Sequence, residues 1–551
     1  MQQFEPSITF RRAVRSTGGM AATKHWLASQ AGVEVLRGGG NAVDAAVTIG
    51  LAVGVVEPPM SGLGGGGYMV LYLARQRRAI VIDFAMQAPA AAREDMYELD
   101  EGRDEEGFGW RRVKGAANIY GHRAVAVPGM LAGLAHALER YGTIGLDTAL
   151  APAIRLAREG YSITWLDTLH LATEAAVLSR NAEAARIFLR NGFPLAPSAA
   201  RPVLFRQPDL AQSLEMIAAE GPRALYGGRL AEMIEHDMRA HGGLLTVEDL
   251  AQYRVQEQEP AVLTTYRGHP LLGMRGATGA TSLAQFLNIL EHFDLAALGH
   301  NSAEHVRLLI EASRAMWADR FARMADPRFY PMPLDELLDK AYAGRLAAAA
   351  QEARPGPMLS PAAVPPESTT HFCVCDGEGN MVSLTQTLMS LYGARVVAPG
   401  TGILLNNGMM WFDPEPGRPN SIAPGKKGLN NMCPAVVLAP NGDPLLAVGA
   451  SGGRRILNCV AQLICNVVDF GMDIQEAINA PRIDTSAGIV LDARLPDRVI
   501  EALRERGYTF ELQFPMPFPR FFASPVGIQR AGGEVLGGVD PQYFTAMALG
   551  V

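Results

Sequence analysis

Residues 351–388 read QEARPGPMLSPAAVPPESTTHFCVCDGEGNMVSLTQTL, and the reading of the whole chain turns on them. Prolines at 355, 357, 361, 365 and 366 exclude a helix or a central strand across 351–368. The stretch therefore reads as an extended, mobile loop. Thr369-Thr370-His371 then opens a strand, HFCVCD; Gly377-Glu378-Gly379-Asn380 makes a turn; MVSLTQTL forms a second strand. Cys373 and Cys375, two apart on a strand, share one buried face as small apolar side chains. Composition alone makes the loop a domain linker. A second reading comes from chemistry. A threonine hydroxyl is a weak nucleophile unless a base removes its proton, and a free α-amine, with a pKa near ~7.7–8.0, can be that base at neutral pH. The amine has to be the threonine's own, so the Ser368–Thr369 bond has to be cut. A loop that bends into the site and then leaves is what that cut requires.

On the N-terminal side, residues 24–37 and 41–56 read as Ala- and Val-rich helices, and 68–83 as a hairpin around a basic turn. Amphipathic helices dominate from about 130 to 350. On the C-terminal side strands alternate with at least two helices, near 455–469 and 474–480. A helical half is thus joined through the Pro-rich loop to a strand-rich half that begins at a Thr. With 551 residues, 48% hydrophobic and 19% charged, the chain can bury a large core. A net charge of -7 and no long basic run exclude a nucleic-acid footprint. The apolar stretch 45–56 is too short to span a bilayer, and the N-terminus lacks a signal-like apolar segment. The cytoplasm is the expected compartment, with no membrane partner. Five irregularly spaced cysteines make no disulfide framework.

Three further patterns carry less than they suggest. Gly62-Leu63-Gly64-Gly65-Gly66-Gly67 matches a dinucleotide fingerprint, but prolines precede it and a strand follows it. It reads instead as a turn that lets two backbones approach closely. Gly449-Ala450-Ser451-Gly452-Gly453 matches a nucleophile elbow, yet no histidine follows it. Its glycines can still present backbone N–H groups to a developing oxyanion. The sequence holds no H-E-x-x-H and no C-x-x-C, and its histidines are scattered singly, so no metal and no cofactor are expected.

The chain resembles the γ-glutamyltransferase family nearly end to end. The landmarks are GGGNAVDAAV (38–47), EPPMSGLGGGGYMVLY (57–72), VPGMLAGL (127–134), GGLLTVEDLAQY (242–253), ADRFARMADP (318–327) and GASGGRRI (449–456), together with TTHF and GEGNMVSLTQT. The resemblance implies an α+β fold of the Ntn-hydrolase type, a four-layer αββα sandwich. It implies a proenzyme cut between Ser368 and Thr369 into a large subunit, 1–368, and a small subunit, 369–551, that stay associated. Higher homo-oligomers are compatible with it. By motif position Thr369 is the nucleophile, Thr387 its hydrogen-bonding partner, and Gly452 and Gly453 the oxyanion pair. Water or an amine would release the acyl group of a small-molecule amide.

Departures from the family pattern fall where γ-glutamyl groups are held. Ala85 stands where an Arg would grip the α-carboxylate. Met389 replaces an Asn, Gly408 a Gln or Glu, Trp411 an ammonium-binding Asp, and Asn430-Asn431 a pair of Ser. The segment from Phe412 to Lys427 is short, so a lid found in some members is expected to be missing. Leaving a buried carboxylate without its Arg costs on the order of 3–5 kcal/mol by analogy with broken buried ion pairs. A pocket containing Met389, Met410 and Trp411 suits an apolar acyl group better than a zwitterion. Family branches called cephalosporin acylases or oxamate amidohydrolases show similar departures. A small anionic acyl group would need a new cation, for which Arg395 and Arg275 are candidates. The sequence thus favours an autoprocessed amidohydrolase that does not prefer γ-glutamyl groups. The alternatives are a true γ-glutamyl hydrolase or transpeptidase, and a scaffold without turnover.

Overall fold

A computed structural model describes residues 9–103, 109–197, 202–356 and 368–551. Two seven-stranded antiparallel sheets are stacked at its centre. The first runs in the order Gln256–Gln258, Arg78–Phe84, Gly66–Leu73, Met381–Thr387, Thr370–Cys375, Met20–Thr23 and Met547–Gly550. The second runs Val14–Ser16, Glu534–Val539, Ser524–Ala531, Pro444–Ser451, Ala435–Leu438, His269–Leu272 and Val262–Tyr266.

Side-chain alternation explains the layering. On the strand Thr370–Cys375, Phe372 and Val374 face a helical layer that includes Trp26–Arg37, Ala42–Val56 and Met130–Tyr141. Cys373 and Cys375 face the other way, into a core shared by both sheets with Met20, Val436, Ala447 and Val526. All five cysteines are buried and free. A second helical layer, including Gly279–Leu290, Ala303–Arg323 and Arg455–Val468, covers the outer face of the second sheet. The four-layer αββα expectation holds.

Several boundaries match the sequence reading closely, with helices at Trp26–Arg37 and Ala42–Val56 and a hairpin of Gly66–Leu73 with Arg78–Phe84. The second helix begins with a reciprocal cap between Asn41 and Asp44. The glycine run does bring backbones together. A Cβ on Gly65 or Gly67 would lie 2.3 Å from a carbonyl oxygen of the strand Met381–Thr387. Between 130 and 350 the helical expectation fails at Gln256–Gln258, Val262–Tyr266 and His269–Leu272, which join two different sheets. Helix Lys340–Glu352 enters the Pro-rich stretch by two residues. Most of the loop expected to be mobile, residues 357–367, lies outside the described residues. No described helix is long and apolar enough to cross a membrane.

Candidate active site

Antiparallel register places Thr370 opposite Gln386, which sets Thr369 beside Thr387 at the ends of two central strands. Both threonines are buried, and their hydroxyl oxygens lie 3.2 Å apart. Thr387 Oγ1 donates to the Ser368 carbonyl oxygen at 2.7 Å and accepts the Met389 N–H at 2.8 Å. The Thr369 hydroxyl reaches the same Ser368 carbonyl oxygen. Ser368 Oγ in turn donates to the Met60 carbonyl at 2.8 Å. The carbonyl before Thr369 is therefore flanked by two hydroxyls, one of them covalently placed to attack it. Met389 sits at φ +89°, a region side chains rarely occupy, so backbone strain accompanies the N–H that orients Thr387.

A buried polar network lies on the other side of Thr369. Lys24 Nζ donates to the Thr369 carbonyl at 3.1 Å, lies 4.0 Å from Glu57 Oε1, and sits 4.4 Å from the centre of the Tyr543 ring. Glu57 accepts from Thr370 Oγ1 at 2.7 Å and from the Tyr543 hydroxyl at 3.1 Å. Burial pushes the Lys24 ammonium down to about 8, against the opposing pull of Glu57. These groups fix Thr369 and Thr370 at the start of their strand. The sequence reading missed them, because nothing local in TKHWLAS or EPPM shows that two segments 33 residues apart meet a third, 312 residues beyond Glu57.

His371, two residues from Thr369, is no base for it. Its ring is fully buried, bonded to Thr385 Oγ1 at 2.8 Å and to Cys373 Sγ at 3.2 Å, and desolvation holds it neutral with a pKa near 3. The ring packs on Gly449, where a Cβ would lie 2.3 Å away. Ser383 Oγ donates to the Val448 carbonyl at 3.1 Å. The strand Pro444–Ser451 thus advances from the level of Ser383 to that of His371, towards the Thr369 end. Gly452 and Gly453 follow its last residue, at φ +144° and +53°. That turn leads into helix Arg455–Val468, so its backbone is aimed by a strand on one side and a helix on the other.

The residues at the family's substrate positions separate into groups. Ala85, Trp411 and Met409 pack in one apolar cluster with Tyr68 and Phe412, and Met389 lies against it. Met410 is not part of that cluster; its sulfur faces Asn407 Nδ2 at 3.9 Å. Gly408 is enclosed by Ala126 and Met86, whose Cβ atoms would lie 2.9 and 3.3 Å from a Cβ added there. Asn430 Nδ2 donates to the Tyr68 hydroxyl at 3.0 Å. The buried Arg320 holds the Asn430 carbonyl at 2.6 Å and Asn431 Oδ1 at 2.9 Å, and burial lowers its pKa to about 9.

Neither candidate arginine is free for a substrate anion. Arg395 is buried against Glu174 at 2.7 Å, bonds Ser390 and Gly393, and lies over the Tyr120 ring, whereas Arg275 pairs with Asp335 on the surface. A cation that the sequence reading did not weigh, Lys427, lies 2.7 Å from Asp83, two residues before Ala85. The pocket lined by Gly54, Val55, Ser61, Leu63 and Gln207 lies behind the glycine turn, and Thr369 is not among its walls. The expectation of singly scattered histidines also fails at one place, where His122 and His241 meet at Asp237.

Two stacked antiparallel sheets between helical layers, with a threonine heading a central strand, define an Ntn-hydrolase. The gamma-glutamyltranspeptidase family model matches residues 28–548, and the chain belongs to that family. It is 42% identical over 501 residues to the acylase ACY 1 proenzyme of Pseudomonas sp. strain V22, covering 90% of this chain and 88% of that one. It is 37% identical to the glutathione hydrolase proenzyme of Escherichia coli K12, covering 85% and 81%. Its fold matches a crystal structure of cephalosporin acylase from Bacillus halodurans with a TM-score of 0.86 and 27% identity, over 100% of this chain and 99% of that one. The family makes the chain an enzyme of the hydrolase and transferase class acting on amides.

Proposed function

We propose that the chain is a precursor that cuts itself between Ser368 and Thr369 and then hydrolyses small-molecule amides through an ester on Thr369. The placement of the Ser368 carbonyl between the Thr369 and Thr387 hydroxyls carries this reading. In the cut, Thr369 Oγ1 bonds to the Ser368 carbonyl carbon and the C–N bond breaks. The hydroxyl proton ends on the departing Thr369 nitrogen. Water then hydrolyses the ester, leaving a Ser368 carboxylate on a 1–368 chain and a free Thr369 amine on a 369–551 chain. In turnover that amine takes the Thr369 hydroxyl proton, while Gly452 and Gly453 N–H groups face the oxyanion.

The acyl group is apolar rather than γ-glutamyl on this reading. The wall formed by Ala85, Met389 and Trp411 offers no charge, and Arg395, Arg275 and Lys427 are each already paired. The relatives named acylase support an acyl-amide substrate without specifying its polarity. The family's other named activity, glutathione hydrolysis, is the second reading, and the 37% identity to the Escherichia coli enzyme favours it.

Intact mass measurement after incubation with a panel of amides tests the proposal. The expected result is mass added to the 369–551 chain by apolar acyl amides. Rapid release of p-nitroaniline from a γ-glutamyl anilide would select the second reading. An uncut chain, or a cut chain that no amide acylates, would leave a scaffold.

A further inference from the structure

A second cluster of chemistry-bearing side chains lies at the C-terminal end of helix Arg229–Ala240. Asp237 is on its last turn, and His241 four residues on caps it. His122 comes from the 3-10 turn His122–Ala124. His122 Nε2 lies 2.9 Å from Asp237 Oδ2, and His241 Nδ1 lies 3.1 Å from Oδ1. The Asp237 carboxylate is 5% exposed, and among the described residues its partners are these two imidazoles, with no Lys or Arg paired to it. A buried carboxylate is ordinarily paired with a cation or bound to a metal.

We propose that His122, Asp237 and His241 form a binding site for one divalent transition-metal ion of the zinc class. Two imidazole nitrogens and one carboxylate oxygen are the donor set that such ions prefer, whereas magnesium and calcium favour oxygen alone. Zinc bonds of about 2.0–2.1 Å in a tetrahedron put neighbouring donor atoms ~3.3 Å apart. The observed 2.9 and 3.1 Å run to the two different oxygens of Asp237, and the three ligand atoms lie within 4.8 Å of one another. His241 Nδ1 also contacts the Asp237 backbone carbonyl at 2.9 Å, so an ion would draw the ligand atoms onto one centre and displace that last contact. The two rings are stacked, with centres 4.4 Å apart and planes 13° from parallel, so one ring has to turn for both lone pairs to converge. His241, with a side chain 55% exposed, has the room to turn, and the fourth position opens to solvent on its side.

The site would fasten this helix to the segment behind the 406–411 turn. The Gly121 N–H donates to the Ala394 carbonyl at 3.0 Å, and the Ala126 N–H to Asn406 Oδ1 at 3.0 Å. The ion's role on this geometry is a brace, independent of the chemistry at Thr369.

Calorimetric titration of Zn2+ into the chelator-treated full chain tests this, alongside His122→Gln, Asp237→Asn and His241→Ala. One ion per chain is expected, with affinity at least about tenfold weaker in each variant. A Zn2+-dependent rise in melting temperature should be absent from all three, and Co2+ should give the visible absorption of a four-coordinate site in the parent alone. His241→Ala removes a half-exposed cap and keeps the test open if the buried variants misfold. No ion bound by the parent chain, or equal binding by His241→Ala, overturns the site.

Discussion

The polar surroundings of Thr369 and the apolar cluster of Ala85, Met389 and Trp411 are built on opposite principles. Thr387 on one flank of Thr369, and Lys24, Glu57, Thr370 and Tyr543 on the other, make buried polar contacts that run mostly to the backbone and hydroxyls around the start of the strand Thr370–Cys375. Ala85, Met389 and Trp411 instead form an apolar wall with few directed bonds. A half-satisfied buried network is costly, so its members constrain one another. An apolar wall of suitable volume accepts substitution at much lower cost. On the proposed function, the chemistry belongs to the first region and the acyl specificity is free to drift in the second.

The largest effect expected is that of Thr369→Ala, which should leave an uncut chain of 59.0 kDa without amidase activity. Cutting at the same bond in that variant, seen by electrophoresis, would move the chemistry outside the polar region. Thr387→Ala removes the donor to the Ser368 carbonyl. Self-cleavage followed by mass should slow by about 10²–10³-fold, the scale of losing one oxyanion donor. A wild-type rate would detach Thr387 from the comparison.

Lys24→Met probes the same network through pH. Burial lowers the ammonium from 10.5 to about 8, so between these values the unfolded chain holds a proton that the folded one has lost. Stability therefore rises with pH across this window, through this group, by roughly 3 kcal/mol. Urea melts at pH 8 and pH 10 should show the parent gaining on the variant by about 2 kcal/mol, the part of the change that falls between those two values. A constant difference would mean that Lys24 titrates as it does in water. The smallest effect is expected on the apolar side. Asn tolerates a positive φ and restores a polar group, so Met389→Asn should leave the melting temperature nearly unchanged. It should raise kcat/KM for a γ-glutamyl anilide against an apolar acyl amide by about tenfold, the effect of one added hydrogen bond. An unchanged ratio would take Met389 out of the acyl wall.

Local signals carried much of this into the sequence. The strand-initial Thr369, the turn at 377–380 and the alternation of Phe372 and Val374 against Cys373 and Cys375 depend on neighbours within a few residues. So does the glycine run, whose close backbone approach follows from the lack of a Cβ. Lys24, Glu57 and Tyr543 were not legible, since their meeting depends on sheet order. Arg395 looked like a spare cation because its partner, Glu174, lies 221 residues away. The strands within 256–272 were lost for a related reason. They are short pieces of two separate sheets, and a helical background hides a strand of three to five residues.

Sheet order has a mechanical consequence for a chain severed after residue 368. In the first sheet, strands from before and after that point adjoin at Gly66–Leu73 with Met381–Thr387, and on both flanks of Met20–Thr23. In the second, they adjoin at Val14–Ser16 with Glu534–Val539 and at Ala435–Leu438 with His269–Leu272. The two pieces are interleaved like the fingers of clasped hands. Pulling them apart means tearing ladders in both sheets at once, so dissociation and denaturation become the same event.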